Sequence, residues 1–170
     1  MKITVLNGSP RNENTAAMVQ AFAEGATEAG HQVESIHVGK MKISGCLACE
    51  YCHGEGKGKC IQRDDMEKVM PAYQDSDMVV YASPIYYFGL TAQICAAIQR
   101  VYCIGKPPKA RKAALLLSSA SPAPYAGAIA TYNGMISYMG IENAGIFTAC
   151  GEENKSAEKL AEIRDFARKL

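Results

Sequence analysis

The sequence has no long apolar run and no excess of either charge, and both absences exclude classes of function. No run approaches the roughly 20 apolar residues that cross a bilayer, and the chain carries 18 basic and 17 acidic residues. Nucleic-acid-binding proteins usually cluster a basic excess on one face, and no such cluster occurs here. The apolar start is too short for the core of a signal peptide. We therefore expect a cytoplasmic protein that binds neither membranes nor nucleic acid.

Repeats, low-complexity segments and linkers are also absent, so we expect residues 1–170 to form a single domain. Its 48% hydrophobic and 21% charged content is ordinary for a globular domain. Two phosphate-binding motifs are missing as well. Without G-x-G-x-x-G or G-K-[ST], neither a dinucleotide fingerprint nor the P-loop of an NTPase is indicated.

Strand-type apolar runs alternate with helical periods along the whole chain. Strands are predicted at residues 2–7, 32–38, 78–82, 112–117 and 144–149. Helices are predicted at residues 14–29, after Asp64-Asp65, from about Thr91, around 129–139 and around 160–170. Asn14 is expected to cap the first helix and Gly30 to stop it. Pro71 is expected to kink or shorten the second. This alternation implies a parallel sheet covered by helices on both faces.

In such sheets, ligands bind beyond the carboxyl ends of the strands, and the loop after the first strand suits a phosphate. It reads N-G-S-P-R-N-E-N-T-A over residues 7–16. Ser9 and Thr15 offer hydroxyl groups, Arg11 offers a charged planar fork, and the following helix offers free backbone N–H groups. These features together suit a phosphate monoester. The alternative is a capped turn with an exposed arginine.

The loop after the third strand reads S-P-I-Y-Y-F-G over residues 83–89. Pro84 is expected to end the strand, and Gly89 allows the backbone to approach a ligand closely. Tyr86, Tyr87 and Phe88 are costly to expose and well suited to flank a flat heterocycle. The alternative is an aromatic patch that is buried between subunits.

Three segments, G-S-P-R at 8–11, N-T at 14–15 and S-P-I-Y at 83–86, resemble the NADPH-dependent FMN reductase family of flavodoxin-like proteins. The resemblance covers nearly the whole chain in element order. It implies a three-layer α/β flavodoxin-like sandwich with strand order 2-1-3-4-5, and usually a homo-oligomer, either dimer or tetramer. It implies an FMN phosphate held by Ser9, Arg11, Asn14, Thr15 and Ala16. It implies a flavin ring bordered by Pro84, Ile85, Tyr86, Tyr87, Phe88 and Gly89, and closed by a third loop with Ser119, Ser121 and Gly127. That third loop is rich in alanine and proline, whereas the family pattern is rich in glycine.

Residues 39–62 show neither helical nor strand periodicity and contain Cys46, Cys49, Cys52 and Cys60. So long an irregular loop is uncommon in a compact domain unless it is functional. Zinc sites usually present two separated C-x2-C arms, whereas C-x2-C-x2-C resembles the wrap around a cubane, in which each thiolate binds a different iron. The spacing is also similar to that of the iron-sulfur flavoprotein subgroup of the same family, which implies a [4Fe–4S] cluster on these four cysteines. A cluster, a zinc ion and free thiols all remain open.

The resemblance implies two alternative redox functions. In the first, the protein is an enzyme in which NAD(P)H reduces FMN, and FMN passes electrons to a small acceptor such as a quinone or free flavin; no side chain is then needed as acid or base. In the second, it is an electron carrier that uses FMN and a [4Fe–4S] cluster and takes electrons from ferredoxin. A receiver-type signalling domain is disfavoured because it needs an acidic pair where this chain has Asn7-Gly8.

Overall fold

The computed structural model describes residues 1–170, in which five strands alternate with five helices. The strands are β1 (Lys2–Asn7), β2 (Gln32–Ile36), β3 (Met78–Pro84), β4 (Lys112–Ser119) and β5 (Glu142–Cys150). The helices are α1 (Asn14–Glu28), α2 (Met66–Asp75), α3 (Ala92–Arg100), α4 (Ala126–Met139) and α5 (Ala157–Arg168). Short 3₁₀ turns lie at Val38–Lys40, Tyr51–His53, Val101–Ile104 and Gly151–Lys155. None of the helices is both long and apolar enough to cross a membrane.

All strand pairs are parallel, and the sheet order is β2-β1-β3-β4-β5. This confirms the predicted strand order and the three-layer architecture. Helices α1 and α5 contribute Met18, Phe22 and Ile163 to the core on one face of the sheet. Helices α2, α3 and α4 contribute Val69, Ile94, Tyr132 and others to the core on the opposite face. Strand β3 is buried along its whole length, as expected of a strand that is covered on both faces.

Two helix boundaries differ in detail from the prediction. Asn14 was predicted to cap α1, but it is the first helical residue, and Glu13 precedes the helix without making a side-chain cap. Pro71 does not shorten α2, which continues to Asp75. Because Pro71 and Glu67 both lie on the exposed face, the carbonyl left without an N–H partner faces water. Gly30 ends α1 as predicted, with a φ of +85°.

Strands β3, β4 and β5 are longer than predicted, whereas β2 is shorter. Pro84 was predicted to stop β3 after residue 82, but it is the last residue of the strand. Strand β4 likewise includes Ser118 and Ser119. Strand β2 ends at Ile36 because the chain then turns into the 3₁₀ turn at Val38–Lys40.

Candidate functional site

The loops after β1, β3 and β4 meet at one edge of the sheet, as predicted. The N–H of Gly8 donates to the carbonyl of Ala82 at 2.8 Å, and the N–H of Ile85 donates to the carbonyl of Ser118 at 2.8 Å. A fourth loop, after β5, joins them: Asn154 Nδ2 donates to the carbonyl of Ser119 at 2.8 Å. The sequence did not indicate this fourth contact.

Carbonyl oxygens of the first loop are bonded to neighbouring side chains. Thr91 Oγ1 donates to the carbonyl of Gly8 at 2.8 Å, and His37 Nε2 lies 2.5 Å from the carbonyl of Ser9. Because a carbonyl only accepts, this ring nitrogen of His37 carries its proton. Ser9 Oγ donates to the carbonyl of Arg11 at 3.0 Å and accepts its N–H at 3.1 Å. These bonds hold the loop in one conformation from three sides.

The N–H groups at the end of this loop and at the start of α1 are unpaired. Those of residues 12–16 have no acceptor within the chain, and Glu13 does not cap α1. The positive end of the helix dipole lies at the same place. Arg11 is exposed beside it and makes no ion pair. Free N–H groups, a helix start and an unpaired guanidinium are the groups that the predicted anion site requires.

The predicted phosphate residues are thus brought together, but their hydroxyl groups are already bonded. Ser9 is buried and bonded within the loop. Thr15 Oγ1 lies 2.7 Å from Ser118 Oγ, which joins the first turn of α1 to the end of β4. Asn14 and Ala16 are half-buried at the helix start. The groups of this loop that remain free to bind an anion are therefore the backbone N–H groups and Arg11, whereas the hydroxyls of Ser9 and Thr15 are already bonded.

Two glycines allow the first loop to pack closely. A Cβ atom built on Gly39 would lie 2.0 Å from the carbonyl oxygen of Ser9, and one on Gly8 would lie 2.6 Å from Ile94 Cβ. The loop is therefore held between the 3₁₀ turn at Val38–Lys40 and helix α3. Sequence reasoning missed Gly39, because nothing local indicates which backbone it approaches.

The aromatic loop forms a two-residue turn. The N–H of Tyr86 donates to the carbonyl of Gly89 at 3.0 Å, and the reverse bond is 3.2 Å. Tyr87 and Phe88 have φ of +49° and +68°, a region that a two-residue hairpin requires and that usually holds Asn or Gly. Both rings face solvent, with Tyr87 98% and Phe88 68% exposed. Exposed aromatic side chains on a strained turn are typical of a binding surface.

The predicted residues beside this turn lie deeper. Pro84 is buried in β3, and Ile85 packs against the core. In the third loop, Ser119 Oγ donates to the carbonyl of Ser121 at 2.6 Å. Gly127, the second residue of α4, approaches the aromatic turn so closely that a Cβ atom would lie 2.8 Å from the carbonyl oxygen of Phe88. The second and third loops are therefore packed against each other, a contact that the sequence did not indicate.

The four clustered cysteines line one narrow cleft, which we call the cysteine cleft. Its lining includes Cys46, Cys49, Cys52, Cys60, Cys103 and Arg100. All cysteines are free thiols, and burial raises the pKa of the Cys52 thiol. No group of three or more His, Cys, Asp or Glu side chains is arranged around a single metal-ion position. The predicted ligands therefore share a cleft without the convergence that a zinc ion needs.

Left-handed residues curl the chain between the first three cysteines. Ala48 and Glu50 have φ of +51° and +57°, which is uncommon for residues other than glycine. The N–H of Ala48 donates to Cys46 Sγ at 3.4 Å. Hydrogen bonds of this kind to ligand sulfurs are one means by which proteins tune cluster potentials. The thiols chemically suit an iron–sulfur cluster, whose thiolates bind different irons.

The long gap before the fourth cysteine is a folded turn. The N–H of Gly58 donates to the carbonyl of Cys52 at 2.7 Å, and that of Gly56 to the carbonyl of Tyr51 at 2.8 Å. A Cβ atom on Gly56 would lie 2.8 Å from the Tyr51 ring, so only glycine fits there. This turn returns the chain so that Cys60 reaches the cleft.

A buried ion pair closes the base of the cysteine cleft. Arg100 NH1 donates to Asp64 Oδ2 at 2.6 Å and to the carbonyl of Ser44 at 3.1 Å, and NH2 donates to the carbonyl of Gln62 at 3.3 Å. Burial alone would lower the pKa of Arg100. The hydrogen bond and negative charge of Asp64, with a smaller contribution from Cys60, outweigh burial and raise this pKa above its usual value. Burial raises the pKa of Asp64, but bonds from Arg100, Ser44 and Met66 hold it below its usual value. Both groups therefore stay charged.

The family follows from comparison of the whole chain. A family model described as NADPH-dependent FMN reductase matches residues 1–148. The chain belongs to the NADPH-dependent FMN reductase family. The matched range contains the three loops of the sheet edge and the cysteine cleft, so the resemblance predicted from short segments is confirmed.

Curated relatives carry the name iron-sulfur flavoprotein. One from Archaeoglobus fulgidus is 34% identical over 136 residues, which is 79% of this chain and 56% of the relative. One from Methanosarcina thermophila is 30% identical over 101 residues, which is 59% of this chain and 52% of the relative. The chain of this reductase-family member thus spans about half the length of the curated relatives it matches.

Solved structures share the fold at low sequence identity. An NAD(P)H:quinone oxidoreductase from Methanothermobacter marburgensis has a TM-score of 0.72 and 18% identity, and the match covers 100% of this chain and 96% of that one. An FMN-dependent NADH-azoreductase from Bacillus anthracis, in complex with FMN, has a TM-score of 0.76 and 14% identity, covering 100% and 99%. These likenesses confirm the flavodoxin-like fold of this reductase-family member.

Proposed function

We propose that this protein is an FMN-dependent oxidoreductase that takes electrons from NAD(P)H and passes them to a small acceptor such as a quinone or free flavin. One observation carries the proposal: unpaired N–H groups at residues 12–16 lie beside the unpaired Arg11, on the same sheet edge as the exposed aromatic turn. Such a pairing of an anion site with aromatic surface fits a phosphorylated flat ring. Membership of the family supports the same ligand.

Each loop has a separate part in holding FMN. The backbone N–H groups of residues 12–16 and the guanidinium of Arg11 would bind the phosphate. The turn at 86–89 would border the flavin ring, with Pro84 and Ile85 at its base. The third loop, with Ser119 and Ser121, would close the opposite side. When bound, FMN supplies the hydride and electron chemistry, so these residues need only bind, orient and exclude water.

An FMN titration tests this assignment. We expect Arg11→Ala to weaken FMN binding roughly 10- to 150-fold, because a charge-assisted hydrogen bond contributes about 1.5–3 kcal/mol. Arg111→Ala is the matched control, since Arg111 is also exposed but precedes β4 at the opposite edge of the sheet. The titration is read by quenching of flavin fluorescence. A folded wild-type protein that stays colourless with excess FMN would disprove the proposal.

A second function, that of an iron-sulfur flavoprotein electron carrier, is favoured by the cysteine cleft. Its four thiols fit a [4Fe–4S] cluster, and the named relatives support this reading. Anaerobic reduction by NADPH and, separately, by reduced ferredoxin distinguishes the two functions. Rapid flavin bleaching by NADPH supports the reductase, whereas bleaching by ferredoxin alone supports the carrier. Either function suits the reducing cytoplasm, where the cysteines stay free.

The exposed aromatic turn also favours a homo-oligomer in which a neighbouring subunit covers the flavin. Tyr87 and Phe88 expose apolar surface beside the proposed ring site. Sedimentation of the FMN-loaded protein tests this proposal, and a monomeric profile would contradict it.

A further inference from the structure

A buried arginine forms the base of the cysteine cleft without using all its donors. Arg100 is 2% exposed, and its Nε–H has no acceptor within the chain. Its other nitrogens bind Asp64 and two backbone carbonyls. Buried polar groups are normally paired, so a free N–H on a buried guanidinium in the lining of a cleft indicates an additional acceptor.

The charges around the cleft indicate that this acceptor is anionic. Its only charged lining residues are Arg100 and Glu50, and the Glu50 carboxylate accepts the hydroxyl of Tyr102 at 3.0 Å. Four cysteines become thiolates when they bind metal, so a loaded cleft carries negative charge. Arg100 is the one cation that lines this space, whereas Arg63 pairs with Glu67 and Lys68 pairs with Asp65 outside the cleft.

We propose that Arg100 is a positioning residue for an iron–sulfur cluster in the cysteine cleft, where it clamps the cysteine loop and supplies positive charge that raises the cluster's reduction potential. This inference rests on the proposed electron-carrier function. The clamp follows from its bonds to the carbonyls of Ser44 and Gln62, which flank the four cysteines in sequence. The effect on potential follows from charge and from hydrogen bonding near the sulfurs, both of which set cluster potentials.

Arg100→Gln and Arg100→Lys test the two roles separately. Glutamine removes the charge, whereas lysine keeps it without the planar fork. The full chain is loaded anaerobically with Fe²⁺ and sulfide, and the cluster is titrated with dithionite while its spectrum is recorded. We expect Arg100→Gln to raise the ratio of oxidised to reduced cluster at a fixed potential at least tenfold. For a one-electron couple this corresponds to lowering the reduction potential by about 59 mV. Arg63 is exposed and follows Cys60 by three residues, so Arg63→Gln is the control and is expected to leave this ratio unchanged.

A purely structural clamp would lower iron content and melting temperature but leave the potential of the loaded fraction unchanged. Asp64→Asn is expected to shift the potential in the opposite direction. It removes the negative charge that pairs with Arg100, so the reduced form of the cluster is favoured. If Arg100→Gln does not fold, the potentials of the loaded Asp64→Asn and Arg100→Lys variants are compared with that of the wild-type chain instead. Wild-type potential in every loaded Arg100 and Asp64 variant would overturn the inference alone. A wild-type chain that takes up no iron and sulfide would overturn the electron-carrier function as well.

Discussion

The Gly39→Ala protein is expected to lose most of its FMN affinity and part of its stability. A Cβ atom at residue 39 would lie 2.0 Å from the carbonyl oxygen of Ser9 and 2.8 Å from the carbonyl carbon of Gly8. These are backbone atoms of the proposed phosphate loop, so the clash is relieved only by moving the loop itself. Overpacking of this kind typically costs about 1–3 kcal/mol. A displaced loop no longer aligns the N–H groups of residues 12–16, so we expect at least a tenfold loss of affinity, or ~1.4 kcal/mol.

Gly134→Ala provides a control with the same chemical change and the opposite expected effect on stability. Gly134 lies inside α4, and nothing lies within 4 Å of the position of its added Cβ. Alanine is favoured over glycine in a helix by about 0.5–1 kcal/mol, so this variant is expected to gain stability and bind FMN normally. Melting curves and flavin fluorescence measure both variants. Wild-type FMN affinity in Gly39→Ala would contradict the packing argument.

Much of the fold could be predicted because the strands are long apolar runs separated by loops of unusual composition. The ends of β3 and β4 could not. Both were placed just before the first serine, yet Ser83 and Ser118 are buried within the strands. Their hydroxyls are satisfied from distant elements: Ser83 Oγ accepts the N–H of Thr91 at 3.1 Å, and Ser118 Oγ bonds to Thr15. A polar residue signals a loop only when no tertiary partner pairs with it.

The candidate site shows the same division between local and distant information. The G-S-P-R segment and the aromatic run are local patterns, so the sequence alone placed both at the carboxyl edge of the sheet, where the structure brings the two loops together. His37 and Gly39 hold the first loop from beyond β2, and no local pattern connects them with Ser9. The proposed role of Arg100 could not be predicted from the sequence either, because basic residues are common in the last turn of a helix. Its role depends on burial, which the sequence alone does not report.

The second large effect concerns the cysteine cleft. We expect Cys52→Ser to lose the iron and sulfide that the anaerobically loaded wild-type chain retains. Cys52 is the most buried of the four proposed ligands, and its carbonyl also anchors the turn that returns Cys60 to the cleft. A serine hydroxyl is a harder and poorer ligand for an iron–sulfur cluster than a thiolate. Cys95→Ser is the control, because Cys95 lies in α3 and does not line the cleft.

Iron and acid-labile sulfide per chain give the readout, with FMN affinity measured in parallel. The two sites lie at opposite ends of α3, whose N-cap Thr91 contacts the phosphate loop and whose last residue is Arg100. Nine helical residues span about 13 Å, so loss of the cluster is expected to leave FMN affinity unchanged. Equal iron in the Cys52 and Cys95 variants would contradict the ligand assignment. Loss of FMN binding together with iron would instead show that the two sites fold as one unit, because α3 connects them.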